Sequence, residues 1–125
     1  MLVQRLAVRY KNERAIKYWH IGNEFEGECY CENCERAFRI WLKEKYQTIE
    51  ALNAAWNIAF WNHRFHDWDE IVLPNDLGDG EAGRAFMSAI KLDYARFNSD
   101  SQLACYKAER DIIRGTIPNA KCTTN

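Results

Sequence analysis

An Asn-Glu pair, Asn23 and Glu24, stands directly after an apolar run that ends in Gly22. A carboxylate at the end of a buried strand is costly to desolvate unless water or a ligand meets it. Glu24 is therefore a candidate proton donor, and Asn23 is its polar neighbour. The alternative is structural, because Asn-Glu after a strand can also form a turn and the N-cap of the next helix.

Three cysteines, Cys29, Cys31 and Cys34, crowd into six positions shortly after this pair. Zn²⁺ takes four tetrahedral ligands, and close spacing in a loop lets three thiolates converge on one ion. The cluster predicts a structural zinc site that is one ligand short, since Cys105 and Cys122 lie far along the chain and are expected to be buried small groups. The alternative is a loop of three reduced thiols without metal.

The elements that position these residues follow from the spacing of apolar side chains. This spacing predicts helices at residues 1–10, at 32–46, from Thr48, and from about Arg84 to Arg114, with a weak point at 98–101. A near-continuous apolar run predicts a strand at about 15–23. Gly115 and Pro118 end the last helix, and the segment that follows predicts a second, parallel strand at about 120–125. The expected fold class is α/β, a mostly helical slice of a (β/α)₈ TIM barrel, in which catalytic groups follow the strands.

Composition narrows the class of function. The chain has 125 residues, 47% hydrophobic and 28% charged, which indicates a globular protein rather than a disordered one. A net charge of −1 argues against nucleic-acid binding, and no apolar run is long enough to span a membrane. Five cysteines, three of them clustered, favour reduced thiols and a cytoplasmic location. The five tryptophans suit a carbohydrate site but also suit a core.

Motifs spread over nearly the whole chain follow the order found in one enzyme family. They are Trp19-His20-Ile21-Gly22-Asn23-Glu24, Cys29-Tyr30-Cys31-x-x-Cys34, Phe38-Arg39-x-Trp41-Leu42-x-x-Lys45-Tyr46, Ile49-Glu50-Ala51-Leu52-Asn53-x-Ala55-Trp56, Ala59-Phe60-Trp61, Trp68-Asp69-Glu70-Ile71, Leu92-Asp93-Tyr94-x-Arg96-Phe97 and Thr123-Thr124-Asn125. Together they resemble the β-galactosidases of glycoside hydrolase family 42. Residues 1–125 would then be a fragment of a TIM-barrel catalytic domain.

The resemblance implies a retaining hydrolysis of β-galactosides by an enzyme that is often a homotrimer. It implies that Glu24 is the general acid/base, that Asn23 binds a sugar hydroxyl such as the 2-OH, and that Trp61 lines the sugar pocket. The cysteine cluster matches a zinc site found in many members, whose fourth Cys comes from earlier in the chain. The nucleophile, a Glu on a later strand, is expected outside these residues, so the 125-residue chain alone is expected to be inactive.

Two other functions stay open on the residues alone. One is a zinc-dependent helical interaction module without catalysis, which a fourth metal ligand within the chain would favour. The other is a carbohydrate-binding remnant that uses Trp61 and Trp68 and hydrolyses nothing. Sugar affinity without turnover would separate that remnant from an enzyme.

Overall fold

The computed structural model describes residues 1–74 and 88–125, apart from the side chains of Phe60 and Trp61. Its regular elements are helices α1 (Leu2–Tyr10), α2 (Glu32–Tyr46), α3 (Ile49–Trp56) and α4 (Ser88–Thr116), strands β1 (Trp19–His20) and β2 (Cys122–Thr123), and 3₁₀ turns at Ile58–Trp61 and Trp68–Glu70. The described residues form two compact units: a strand unit, residues 1–27 and 99–125, and a helical unit, residues 28–98.

The strand unit contains a two-stranded parallel sheet. Trp19 pairs with Cys122, and His20 pairs with Thr123. Behind the sheet lies a small core whose buried members come from both helices and both strand segments: Ala7, Ile21, Ile113 and Ala120. The mostly helical chain with two parallel strands confirms the predicted fold class.

Both strands are shorter than predicted. The ladder adds one bond beyond β1, from the Ile21 N–H to the Thr123 carbonyl at 2.8 Å. Before β1 the chain forms turns, in which the N–H of Glu13 donates to the Tyr10 carbonyl and that of Ile16 donates to the Glu13 carbonyl. A segment is a strand only where a neighbour runs beside it, and β2 runs beside few residues of the predicted strand 15–23.

In the helical unit, helix α2 has the predicted bounds, and helix α3 starts after the predicted cap residue. Helix α2 spans the predicted residues 32–46, with acidic side chains in its first turn and Lys43 and Lys45 in its last, which complements the helix dipole. Helix α3 is capped by Thr48, whose hydroxyl oxygen accepts the Ala51 N–H at 3.1 Å. These helices and the start of α4 enclose a core: Phe38, Leu42, Leu52, Trp56, Ile58, Ile71, Leu73, Ile90, Tyr94 and Phe97.

One carboxylate, Asp93 on α4, lies inside this core with only 1% of its surface exposed. Its oxygens accept hydrogen bonds from Lys45 Nζ at 2.5 Å, Tyr46 Oη at 2.5 Å, Trp56 Nε1 at 2.9 Å and an Arg96 nitrogen at 3.0 Å. Asp93 therefore ties α2, α3 and α4 together through charged and polar donors. Burial raises the pKa of Asp93, but these four donors outweigh it and leave the pKa below its usual range.

Helix α4 is continuous through residues 98–101, so the weak point predicted there does not break it. Residues 84–87, where the helix was predicted to begin, lie outside the described residues.

The prediction that Cys105 is buried is wrong, because Cys105 is exposed. The buried side of this part of the helix passes through Tyr106 and Ile113, two helical turns apart, and Cys105 is turned away from that line.

Candidate active site and metal centre

The chain leaves β1 through a turn that requires glycine. Gly22 has a φ of +66°, in the region that side chains rarely adopt. A Cβ atom built at Gly22 would lie 2.5 Å from the Phe25 ring, which covers this position. The turn directs Asn23 and Glu24 away from the buried Ile21 (2% exposed), and both side chains are exposed.

Glu24 has an unusual backbone and a long-range partner. Its φ is +53°, a conformation that costs a non-glycine residue about 1–2 kcal/mol. Its N–H donates to the side-chain oxygen of Asn125 at 3.0 Å, across 101 residues of sequence. Strained residues of this kind cluster at functional sites. The segments after both parallel strands therefore meet at the edge that carries the predicted acid.

Asn125 is a residue of this candidate site to which the sequence assigned no role. The available signal was topological: Asn23-Glu24 follows β1 and Asn125 follows β2. Because parallel strands end at the same edge of a sheet, Glu24, four positions beyond β1, and Asn125, two positions beyond β2, can be neighbours. The strand unit also has a cavity of about 410 Å³, but it lies at the other end of the strands, against Tyr18 and Lys121, and neither Asn23 nor Glu24 lines it.

Of the two tryptophans predicted to contact sugar, only Trp68 has a side chain among the described residues. Trp61 is the last residue of the 3₁₀ turn Ile58–Trp61, and its side chain lies outside the described residues. Trp68 is half-buried against the core of the helical unit, with Lys43 Nζ 5.9 Å from the centre of its ring. Packing therefore occupies part of the Trp68 surface.

The predicted cysteine cluster is assembled in the helical unit. Cys29 Sγ lies 3.5 Å from Cys31 Sγ, which lies 3.7 Å from Cys34 Sγ, and all three sulfurs lie within 4.8 Å of one another. Two sulfurs bound tetrahedrally to one Zn²⁺ at 2.3 Å are about 3.8 Å apart. The three free thiols therefore have the spacing of a zinc tetrahedron's edges and could hold a metal ion.

The surroundings of Cys31 and Cys34 at the start of helix α2 shift the pKa values of these two thiols in opposite directions. Cys31 is the N-cap, and hydrogen bonds from the Cys34 N–H and from the Cys29 sulfur lower the pKa of the Cys31 thiol to about 7. The hydrogen bond with Cys29, together with burial, raises the pKa of Cys34 to about 12. In the metal-free chain Cys31 therefore ionises before Cys34. A bound metal would have to displace the proton of Cys34, which coordinating cations do readily.

Within the described part of the chain, no helix is long and apolar enough to cross a membrane.

Comparison with known proteins finds, over the whole chain, the family that the sequence motifs resemble. The profile of glycoside hydrolase family 42, described as beta-galactosidase, matches residues 1–125. Beta-galactosidase BgaP of Planococcus sp. (strain L4) is 51% identical over 99% of this chain and 18% of its own length. Beta-galactosidase LacZ of Lactobacillus acidophilus is 49% identical over 99% of this chain and 19% of its own.

The fold also matches solved enzymes. The crystal structure of the beta-galactosidase from Bacillus circulans sp. alkalophilus superposes with a TM-score of 0.94 and 54% identity, over 99% of this chain and 18% of that one. Gan42B, a family 42 beta-galactosidase, superposes with a TM-score of 0.89 and 38% identity, with the same coverage. This chain spans less than a fifth of the length of these relatives. It belongs to glycoside hydrolase family 42, the beta-galactosidase family.

Proposed function

We propose that this chain is the part of a retaining β-galactosidase barrel that carries the general acid/base, Glu24. The observation that supports this most directly is the end of β1, where a glycine turn presents an exposed Glu24 next to Asn23 at the edge where both parallel strands end. Catalytic groups of (β/α)₈ enzymes lie at that edge. The substrate class, a β-galactoside, is inferred from the names of the relatives.

In retaining hydrolysis, Glu24, Asn23 and Trp61 would each have a different role. Glu24 donates its proton to the glycosidic oxygen as the bond to the leaving group breaks, and a second carboxylate attacks the anomeric carbon. The two carboxyl groups must stand about 5–5.5 Å apart. Glu24 then takes a proton from the water that releases galactose. Asn23 binds the sugar 2-OH, a contact that strengthens in the transition state, and Trp61 supplies an apolar face to the ring.

A chimera tests whether this segment supports catalysis. Residues 1–125 would replace the matching segment of the Bacillus circulans beta-galactosidase, which shares 54% identity and a TM-score of 0.94. We expect the chimera to hydrolyse lactose at a rate within about tenfold of the parent, because a misplacement of about 1 Å can cost about 100-fold and the close superposition of the two segments favours smaller displacements. Initial rates of galactose release measure this.

The control is the parent enzyme with its own segment excised and reinserted by the same cloning junctions. A folded chimera that binds galactose but releases none from lactose contradicts the proposal. Such a result would favour a carbohydrate-binding segment that uses Trp61 without catalysis.

We propose further that Cys29, Cys31 and Cys34 supply three ligands to a structural zinc ion. Their spacing and their position at the start of α2 support this, and the remaining ligand would come from another residue of the protein or from water. The ion would supply a crosslink that holds the loop before α2 to the helix. Three thiolates leave little Lewis acidity, so the role is structural rather than catalytic.

The uneven ionisation of the thiols predicts how zinc affinity depends on pH. Above about pH 7 Cys31 is already a thiolate, and zinc need not displace its proton. Below that pH one more proton must leave for each ion bound, so affinity should fall by an additional factor of about 10 per pH unit. Competition with a chromophoric chelator between about pH 6 and 8 measures the slope.

The variant Cys31→Ser serves as the control, since it should bind more weakly and lose the change of slope near pH 7. A wild-type slope that stays constant through this range would contradict the assignment of the low pKa to Cys31.

A further inference from the structure

Tyr94 of α4 contacts two consecutive residues of the cysteine loop. Its hydroxyl donates a hydrogen bond to the backbone carbonyl of Cys29. Its ring stacks on the ring of Tyr30, with centroids 5.3 Å apart and an angle of 27° between the planes. One side chain thus holds the first ligand of the cluster by its main chain and holds the residue between the first two ligands by its ring.

The position of the Tyr94 ring is itself well determined. Only 1% of Tyr94 is exposed, and its ring packs edge-on against Phe38 at 5.1 Å and tilted against Phe97 at 5.7 Å. Phe38 belongs to α2, the helix whose start carries Cys34. The core therefore fixes Tyr94 relative to the helix on which the last ligand lies.

The three ligands depend on this contact unequally. Cys31 is the N-cap of α2 and Cys34 lies in its first turn, so the helix sets their positions. Cys29 precedes the helix and is exposed, and the described contact that ties its main chain to the core is the bond from Tyr94. Groups that orient metal ligands change metal affinity by about 10–100-fold when they are removed.

We propose that Tyr94 is the positioning residue of the metal centre: it holds Cys29 within reach of the two helical thiols before a metal ion arrives. This inference rests on the proposed zinc site. It adds that affinity depends on a hydroxyl that is not a ligand and that belongs to a residue 60 positions beyond Cys34, the last cysteine of the cluster.

The test is Tyr94→Phe in the chimera with the Bacillus circulans beta-galactosidase, which removes the hydroxyl, keeps the ring in the core and retains the rest of the barrel, including any zinc ligand that lies outside residues 1–125. Zinc affinity is measured by chelator competition, and Co²⁺ binding is measured by the thiolate charge-transfer and d–d absorption bands. We expect zinc to bind about tenfold more weakly to the variant, at the lower end of the range for such groups. The helical circular dichroism of the metal-free variant should match that of the wild type.

Tyr46→Phe is the matched control. It also removes one tyrosine hydroxyl from the helical unit, the one that donates to Asp93 at 2.5 Å, but this hydroxyl does not contact the cysteine loop in the described structure. It should leave zinc affinity unchanged even if it lowers the melting temperature. A second variant, Tyr30→Leu, removes the stacked ring at a residue that is 43% exposed, so folding should be kept while zinc affinity falls.

Each outcome has one meaning. Equal zinc affinity of wild type and Tyr94→Phe overturns the proposal, and so does an equal loss in Tyr46→Phe. A chimera that carries the wild-type segment and binds neither Zn²⁺ nor Co²⁺ overturns the metal centre together with its positioning residue. The rate of lactose hydrolysis by the chimera with the unchanged segment is a separate measurement, so failure of the catalytic proposal would be seen there and not in the zinc titrations.

Discussion

Replacing Glu24 by Gln in the chimera is expected to lower kcat/KM for lactose by about 1,000-fold. Glutamine keeps the size of the side chain but cannot transfer a proton, and general acid/base catalysis contributes 10²–10⁴-fold in enzymes. The loss should be much smaller with a dinitrophenyl galactoside, because that leaving group departs without being protonated. Steady-state rates with both substrates measure the difference.

Two further measurements distinguish an acid/base from a residue that only shapes the site. Azide attacks a glycosyl-enzyme intermediate without help from a base, so it should accelerate Glu24→Gly with the dinitrophenyl substrate and yield a galactosyl azide of retained configuration. Glu26→Gln is the matched control, since Glu26 is an exposed carboxylate two residues further along the same loop. An equal loss in both glutamine variants would show that Glu24 has no special role.

Replacing Asp93 by Asn is expected to destabilise the helical unit by about 2 kcal/mol, within the range of about 1.5–3 kcal/mol for a hydrogen bond to a charged group, because the neutral amide weakens the bonds from Lys45 and Arg96, which are partly exposed. The carboxylate accepts from four donors, and two of them, Lys45 and Arg96, are cations that would lose their buried partner. Urea unfolding followed by tryptophan fluorescence measures the change in the free energy of unfolding.

The control is Asp111→Asn on the same helix, where Arg110 pairs at 2.7 Å with a carboxylate that is 63% exposed. Exposed pairs of that kind contribute at most about 1 kcal/mol.

The effect of Asp93 should also depend on pH in one direction. Because its pKa in the folded chain lies below the ordinary value, the unfolded chain takes up the proton first as the pH falls. The stabilisation is complete above about pH 5 and is lost as the pH falls through about 4 toward the folded pKa. The difference between wild type and Asp93→Asn should therefore shrink in acid. A difference that stays constant from neutral pH to about pH 3 would contradict this account.

Much of the local structure was predictable because its causes are local. The bounds of α2 follow from apolar residues at helical spacing, and the start of α3 follows from the Thr48 cap. The cysteine cluster was also predictable, because three thiols within six residues at a helix start cannot lie far apart. The place of Glu24 after a strand followed from an apolar run that ends in glycine.

Other features depend on residues that are distant in sequence. No local pattern around Asp93 indicates that it collects donors from α2 and α3, and nothing near Tyr94 indicates that its hydroxyl reaches Cys29. The strand lengths were overestimated for the same reason, since hydrogen bonds to a neighbour, rather than apolar content, decide where a strand ends.

The sequence by itself was enough for the fold class, for the family and for the choice of candidate proton donor and candidate metal ligands, because these depend on residue type and on the order and spacing of motifs. Only the tertiary structure decided how those side chains are held. The Phe25 ring over Gly22, the bond from Glu24 to Asn125 and the bond from Tyr94 to Cys29 each join atoms that only packing brings together. Such contacts depend on the whole core, and their energies do not appear in any short stretch of sequence.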